Sequence, residues 1–383
     1  MLIFHTGDNH YSTKTLEYVD KAMHFAIDKA IEAKVEAFVM AGDTFDSSIA
    51  AHDPAYHACM RAISRMLDHA PVIAIYGTGS HDRAGVMEPI SHMRGRHPIW
   101  VSDRPQQVGL FGNRWHDLAE APPTEGMRLL VSAFPGMNIA ELHANNPAAL
   151  QSEYTDSILQ GWLPSVREAR FRGVPTVLAL HGTIQGAVSE GNHAFVSQDR
   201  EFSPRQLLDA ENSATMAAHI HKAQDWSEQG RRVAYCGSIT KLVYGFKGAW
   251  GALIWDVRAD GADFSRIETP TRDLVEIDFN GPPDMIELAR RLQTCRGASL
   301  RIRWSVDEEF SKQVDQEGIR EILTAAGVAE FKLEGRINPV QRQRAAGISQ
   351  AASTETKLRR WAEITGSNAD PLVERLRALE ATA

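Results

Sequence analysis

The 383-residue chain carries 49 Asp/Glu against 41 Lys/Arg, a net charge of −8, with 43% hydrophobic and 23% charged residues. These are the proportions of an ordinary globular protein with room for a large domain and one or two smaller ones, and they offer nucleic acid no bulk electrostatic attraction. Three well-separated cysteines, Cys59, Cys236 and Cys295, with no CxxC exclude a disulfide framework and argue against a cysteine zinc site. No basic segment leads into a long apolar stretch and no run of about 18 apolar residues occurs, so neither a signal peptide nor a membrane span is read and the cytoplasm is the expected setting.

The pattern starts with an apolar strand over residues 2–5 that ends in Asp8 and His10. A helical stripe follows at Leu16, Val19, Met23, Ala26 and Ala30. A buried-strand run over 37–40 ends in Gly42-Asp43, and a helix around 56–67 leads to an apolar strand over 71–76. Strand and helix in alternation predict an α/β layered core with parallel pairing. Short strands are expected at 108–111, 129–133, 177–180, 232–235 and 252–257. Residues 143–172 read as mostly helical, and 182–204 as a polar loop over the site. From about Arg272 the pattern restarts as strand 274–279, helix 285–294, strand 300–306, helix 317–326 and strand 330–333. Residues 338–350 read as a polar linker. Two short amphipathic helices close the chain, 354–364 and 371–379, the second with Asp370 as N-cap and Pro371 at its first position. The expected division is a core over 1–270, a small unit over 271–337, and a linker and tail over 338–383; from Arg336 onward there are eight Lys/Arg against five Asp/Glu.

The chemistry sits where apolar runs end. Five successive segments exit into Asp8-x-His10, Gly42-Asp43-Thr44-Phe45-Asp46, Gly79-Ser80-His81-Asp82, His181-Gly182-Thr183 and His219-Ile220-His221. Alternate side chains of a strand share one side, so each i, i+2 pair offers two ligands to one cation. Strand exits are where ligands gather in open α/β sheets, and the glycines let the backbone turn sharply beside an ion or phosphate. A single strand-end histidine is most often a core or surface residue; five such exits in this order are not a common coincidence. A carboxylate-rich metal site also needs no basic surround, since its cations supply the positive charge.

This order resembles the calcineurin-like metallophosphoesterase superfamily. Within it, His5-Thr6-x-Asp8-x-His10, Gly42-Asp43-Thr44-Phe45-Asp46 and Tyr235-Cys236-Gly237-Ser238-Ile239 are similar to the SbcD-type DNA double-strand-break repair nuclease subunit. These motifs span residues 1–257; beyond 270 the likeness is one of layout. The resemblance implies a four-layered α/β/β/α metallophosphoesterase sandwich, a small α+β capping domain and a helical tail that binds an ATPase. It implies one cation on Asp8, His10, Asp43 and His221, and a second on Asp43, Ser80, His181 and His219, with Asp43 bridging. Mixed oxygen and nitrogen ligands with open positions suit Mn²⁺ best, with Mg²⁺ also possible. Such a pair activates a water and neutralises charge at an in-line phosphoryl centre.

By the same resemblance His81 stabilises the transition state or protonates the leaving oxygen. Asp82 then orients His81 or braces the turn, and Asp46 holds a neighbouring imidazole or closes its turn. The implied activity is exo- and endonucleolytic DNA cleavage by a homodimer with an SbcC-type SMC-like ATPase; the chain has no Walker A sequence, so any ATP use belongs to that partner. One departure stands out: the family has Asn where this chain has Ser80, and a hydroxyl is a shorter, weaker ligand than an amide carbonyl. Two alternatives follow, a phosphoesterase acting on nucleotides or phosphoproteins, and a nuclease-dead scaffold subunit. Of the remaining residues, His52, His57 and His193 either line a substrate groove or lie on the surface. Trp115, Trp162, Trp226 and Trp250 either stack on bases or fill the core. Leu372, Leu376 and Leu379 either pack on the chain's own body or dock on a partner helix.

Overall fold

The computed structural model describes residues 1–47, 49–120, 122–123, 125–136, 151–190, 201–339, 348 and 351–381. The chain is mixed α/β and divides into two compact units. The first comprises Met1–Glu276, Cys295–Arg301 and Val328–Phe331; the second comprises Ile277–Thr294, Ile302–Gly327 and Lys332–Ala383. Residues 143–150 of the expected helical segment, 191–200 of the expected loop (His193 among them), and 340–347 and 349–350 of the expected linker lie outside the described residues.

In chain order the first strands are β1 (Leu2–Thr6), β2 (Ala37–Met40), β3 (Val72–Ile75), β4 (Ile99–Ser102), β5 (Gln106–Phe111), β6 (Arg114–Asp117), β7 (Met127–Phe134) and β8 (Thr176–His181). There follow β9 (Thr183–Ile184), β10 (Glu201–Phe202), β11 (Ala214–Ala218), β12 (Gln224–Glu228), β13 (Arg231–Tyr235), β14 (Ala252–Val257) and β15 (Ala262–Ile267). Among them lie helices α1 (Leu16–Glu32), α2 (Pro54–His69), α3 (Ala84–Ser91), α4 (Gln151–Phe171) and α5 (Pro204–Asp209). One sheet has six strands in the order β15-β14-β1-β2-β3-β4, and another has seven in the order β12-β13-β11-β8-β7-β5-β6. Strands β1 to β4 pair in parallel through helical crossovers; β7, β8, β11 and β13 also pair in parallel, with the chain passing from β11 to β13 through β12.

Period-two alternation explains how the sheets bury both faces. Phe4, Phe38, Met40, Val72 and Ala74 pack with the α1 stripe Val19, Met23, Ala26 and Ala30 and with Cys59, Ile63 and Met66 of α2. Their neighbours Ile3, Val39, Ile73 and Ile75 point the other way, into a core shared with Val131, Val177, Ala179 and Met216 of the second sheet. Leu178, Leu180 and Tyr235 then meet Leu159 of α4 and Leu207 of α5. Strands covered on both sides read as continuous apolar runs, which is why they stand out in the sequence. Helix α2 starts where Asp53 accepts from the Ala55 N–H ahead of Pro54.

Further strands β16 (Leu274–Asn280), β17 (Ser299–Asp307) and β18 (Glu330–Asn338) pair in that order. Helices α6 (Met285–Arg291) and α7 (Gln316–Ala325) are capped by Asp284 and Asp315. In the tail, α8 (Thr354–Thr365) is capped by Ser353 and ends at left-handed Gly366. The last helix, α9 (Asp370–Glu380), corrects one expectation. Asp370 is its first residue, not its cap; Ala369 precedes it, and Asn368 accepts from the Asp370 N–H. Its buried position is Val373, whereas Leu372 and Leu379 are 37% and 62% exposed. The leucine spacing is helical, but the packing side turns about Val373. Among the described residues no helix is long and apolar enough to cross a membrane.

Candidate metal centre

All the residues singled out at strand exits fall in the first unit, at the C-terminal ends of β1, β2, β3, β8 and β11. The strand pleat is not what aligns the two i, i+2 pairs, as the sequence suggested. Asp8 and His10 lie beyond the end of β1, and His219 and His221 beyond the end of β11. Asp8, His10 and Asp43 take left-handed backbone conformations at φ 48°, 50° and 48°, and His219 sits at φ 115°. Side chains rarely adopt this region, and its cost is met where surrounding bonds over-determine the turn. Here they do. The exits of β1 and β2 stay bonded beyond the strands, with the N–H groups of Asn9 and His10 both donating to the Asp43 carbonyl at 2.9 and 3.1 Å. The His219 N–H donates to both Asp8 carboxylate oxygens at 2.9 Å.

Two glycines are required by space. A Cβ at Gly42 (φ +94°) would lie 2.5 Å from His181 Nδ1, and one at Gly77 would lie 2.1 Å from Asp43 Oδ1. Behind the loops, the buried Asp82 carboxylate accepts from the N–H groups of Thr44 (3.0 Å), Phe45 (3.3 Å) and Gly77 (2.8 Å). It ties the β2 exit to the β3 exit. His81 Nδ1 has no hydrogen-bond partner, so of the two roles weighed for Asp82, bracing the turn matches its contacts and orienting His81 through that nitrogen does not. Tyr235 acts similarly, donating to the Gly182 carbonyl (2.6 Å) and accepting from the Ile184 N–H (2.8 Å), which pins the chain just past His181.

These turns bring the side chains into three ligand-capable groups, each with its ligand atoms within 4.8 Å of one another: Asp8, His10 and His221; Asp43, His181 and His219; and an overlapping His10, Asp46 and His81. They open onto a cavity of about 480 Å³ whose wall also includes Thr78, Ser80, Glu190, Leu242 and Val243. His10 Nε2 and His221 Nε2 face each other at 2.9 Å. Asp43 presents Oδ1 to His181 Nε2 at 3.3 Å and Oδ2 to His81 Nε2 at 3.9 Å. Asp46, half-exposed, stands 3.7 Å from His10 Nδ1. Ser80 is exposed, its hydroxyl 3.1 Å from that of Thr78. His52 and His57 are exposed and do not line this cavity, nor do the four tryptophans considered for base stacking.

Two residues in the site carried no sequence signal. Glu190 Oε1 lies 3.2 Å from His221 Nδ1, and Thr78 donates to Asp43 Oδ1 from both N–H (2.7 Å) and hydroxyl (3.1 Å). A backbone carbonyl can only accept, so the 2.8 Å contact between His181 Nδ1 and the Ala41 oxygen fixes a proton on Nδ1. Glu190 does the same for His221. Both rings thereby turn Nε2 inward as a potential ligand.

Charge follows the geometry. Burial opposes ionisation of Asp43, but the imidazoles of His181, His10 and His81 outweigh it and hold the carboxyl well below the usual range. Burial likewise opposes the charged form of His181, yet Asp43, Asp8 and the Ala41 carbonyl lift it to about 9. Burial pushes His10 down to about 3, with His221 acting in the same direction. The metal-free protein thus uses the His181 imidazolium as the counter-charge for Asp43. Hard carboxylate oxygens beside inward-facing imidazole nitrogens fit divalent ions such as Mn²⁺ or Zn²⁺, and two imidazole nitrogens 2.9 Å apart are arranged to share a cation.

No protein-family profile matches the chain, and no curated protein matches it. Solved structures similar to it include GAP50, the anchor in the inner membrane complex of Plasmodium, at 11% identity over 70% of this chain and 89% of that one, with a TM-score of 0.45. They also include a dimetal phosphatase from Danio rerio, at 7% identity over 70% of this chain and 98% of that one, with a TM-score of 0.38.

Proposed function

We propose that this chain is a two-metal phosphodiesterase of the metallophosphoesterase type, with DNA as substrate. The observation that carries the hydrolytic reading is the pair of ligand groups, Asp8, His10 and His221 beside Asp43, His181 and His219, which reach one cavity through His10, Asp43, His219 and His221. Asp43, grouped with His181 and His219, is assigned the bridging role by the sequence resemblance. When bound, two divalent cations lower the pKa of a water and neutralise charge on a phosphoryl centre. The chain's own residues do the remainder. Ala41 and Glu190 set the tautomers of His181 and His221, and Thr78 orients Asp43. His81, a quarter exposed to the cavity, is the group to donate a proton to the leaving oxygen. Asp82 is a positioning residue. Ser80 offers only a hydroxyl at the rim, so a second ion would have three strong ligands, Asp43, His181 and His219, and a weak one.

The DNA substrate and the SbcC-type ATPase partner rest on the sequence motifs around His5 to His10, Gly42 to Asp46 and Tyr235 to Ile239. The homodimer rests on the resemblance alone, and the partner-binding tail over 338–383 and the capping role of 271–337 rest on the layout of the chain beyond 270. The four-layered α/β/β/α reading of the core is supported by the succession of three apolar cores between helices and sheets. The test is cleavage of single-stranded and duplex DNA by the purified protein with Mn²⁺ and with Mg²⁺, with Asp43→Ala as control. Metal-dependent cleavage lost in the control supports the proposal. Turnover of a small phosphodiester without DNA cleavage shifts it to a phosphoesterase of nucleotides or phosphoproteins. No hydrolysis at all leaves a scaffold subunit.

A further inference from the structure

A second, larger cavity of about 890 Å³ lies away from the metal centre. It gathers around the start of β4 and the turn between β5 and β6, and β4 runs parallel to β3. The metal centre follows the C-terminal end of β3, so the two cavities occupy opposite ends of the sheet. Arg94, Arg96, His97 and Arg114 line this cavity together with Trp100 and Trp115, and no carboxylate does. In a chain with eight more acidic than basic residues, three arginines without an acid among them are not a by-product of composition. Arg96 and Arg114 have no ion-pair partner among the described residues, and Arg94 is steadied by the Ser91 and Met93 carbonyls at 3.3 and 2.8 Å.

The cavity is built and not simply a gap between loops. Asn113 donates to the Arg96 carbonyl at 3.3 Å and meets His97 Nδ1 at 2.8 Å, tying the β5–β6 turn to the loop before β4. Trp115 is 8% exposed and Trp100 partly buried, and neither indole N–H has a hydrogen-bond partner. Both indole nitrogens are buried and Trp115 packs into the inter-sheet core, so the wall offers guanidinium groups and the accessible part of the Trp100 ring, which is complementary to an anionic oxygen group carrying a planar ring.

We infer that this cavity binds a nucleotide, its phosphate on Arg94, Arg96 and Arg114 and its base against Trp100. A free mononucleotide and the phosphorylated end of a DNA strand share that chemistry. The test is calorimetric titration of the full-length protein, in EDTA, with deoxyadenosine 5′-monophosphate, deoxyadenosine and a short single strand with or without a 5′-phosphate. Each lost charge-assisted fork costs about ten-fold in affinity, so Arg96→Ala/Arg114→Ala should weaken the mononucleotide about a hundred-fold. Both arginines are exposed, so the fold is expected to survive, and a melting curve checks it. Asp43→Ala should bind as the wild type does, and deoxyadenosine should not bind measurably. No binding by the wild type, equal affinity in the double variant, or loss in Asp43→Ala overturns the assignment. Tighter binding of the 5′-phosphorylated strand than of the mononucleotide identifies a strand end as the ligand; the reverse identifies a free nucleotide.

Discussion

Replacing Glu190 by Ala removes the acceptor that keeps His221 Nδ1 protonated and its Nε2 inward. The pair is 3.2 Å apart with side chains 23% and 20% exposed, so it is too sheltered to be dismissed as a surface ion pair. The Glu190 carboxyl is lowered below its usual range chiefly by its hydrogen bond to His221. A hydrogen bond to a charged group contributes about 1.5–3 kcal/mol, and loss of such an outer partner costs about 10–100-fold in metal affinity. Those two magnitudes agree. Without Glu190 the ring is free to place its proton on Nε2, and that tautomer cannot ligate. In a Mn²⁺ titration of Glu190→Ala, the ion held by Asp8, His10 and His221 should weaken by that factor while the other is unchanged. Glu190→Gln keeps a neutral acceptor and should fall in between. Unaltered affinity for both ions, or loss confined to the ion on Asp43, His181 and His219, refutes the reasoning.

Other consequences are as direct. Asp82→Ala strands three backbone donors at about 1–3 kcal/mol each, so a loss of about 3–5 kcal/mol is expected in denaturant unfolding; a loss below about 1 kcal/mol means that water takes over the bonds. Ser80→Asn replaces a hydroxyl by an amide carbonyl and should tighten the second ion, and equal metal stoichiometry and activity in the two proteins would remove position 80 from the ligand set. His181 is raised from 6.5 to about 9 in the metal-free protein. Its folded pKa exceeds its unfolded one, so its stabilisation is full below pH 6.5 and is lost as pH rises through about 9. Melting of the chelator-treated protein should show that decline. Mn²⁺ binding near neutral pH should release close to one proton from this ring, and a binding enthalpy that does not vary with buffer ionisation heat would count against it.

Much of the site was legible because its residues follow apolar runs. Leu2–Thr6, Ala37–Met40, Val72–Ile75, Thr176–His181 and Ala214–Ala218 are covered on both faces, so their composition marks where each strand stops. The first polar or glycine residue beyond it is then visible without tertiary information. Strands with one open face or an edge position were less visible. Gln224–Glu228 is polar apart from Trp226 and Ala262–Ile267 alternates, and pairing with a neighbour, not composition, makes them strands.

What the sequence determined by itself was the α/β order, the exits of five buried strands, and the carboxylates and imidazoles standing at them. The tertiary structure decided how those side chains meet. The left-handed turns at Asp8, His10, Asp43 and His219 depend on bonds between the exits of separate strands, such as the His219 N–H donating to the Asp8 carboxylate. The bracing of Thr44, Phe45 and Gly77 by Asp82, the Glu190 partner of His221, and the arginine cavity at the far end of the sheet likewise join residues distant in the chain. Local pattern reports periodicity and burial; the pairing of distant polar groups is set by the register in which the sheets close. That register fixed the tautomers of His181 and His221 and turned five strand ends into one site.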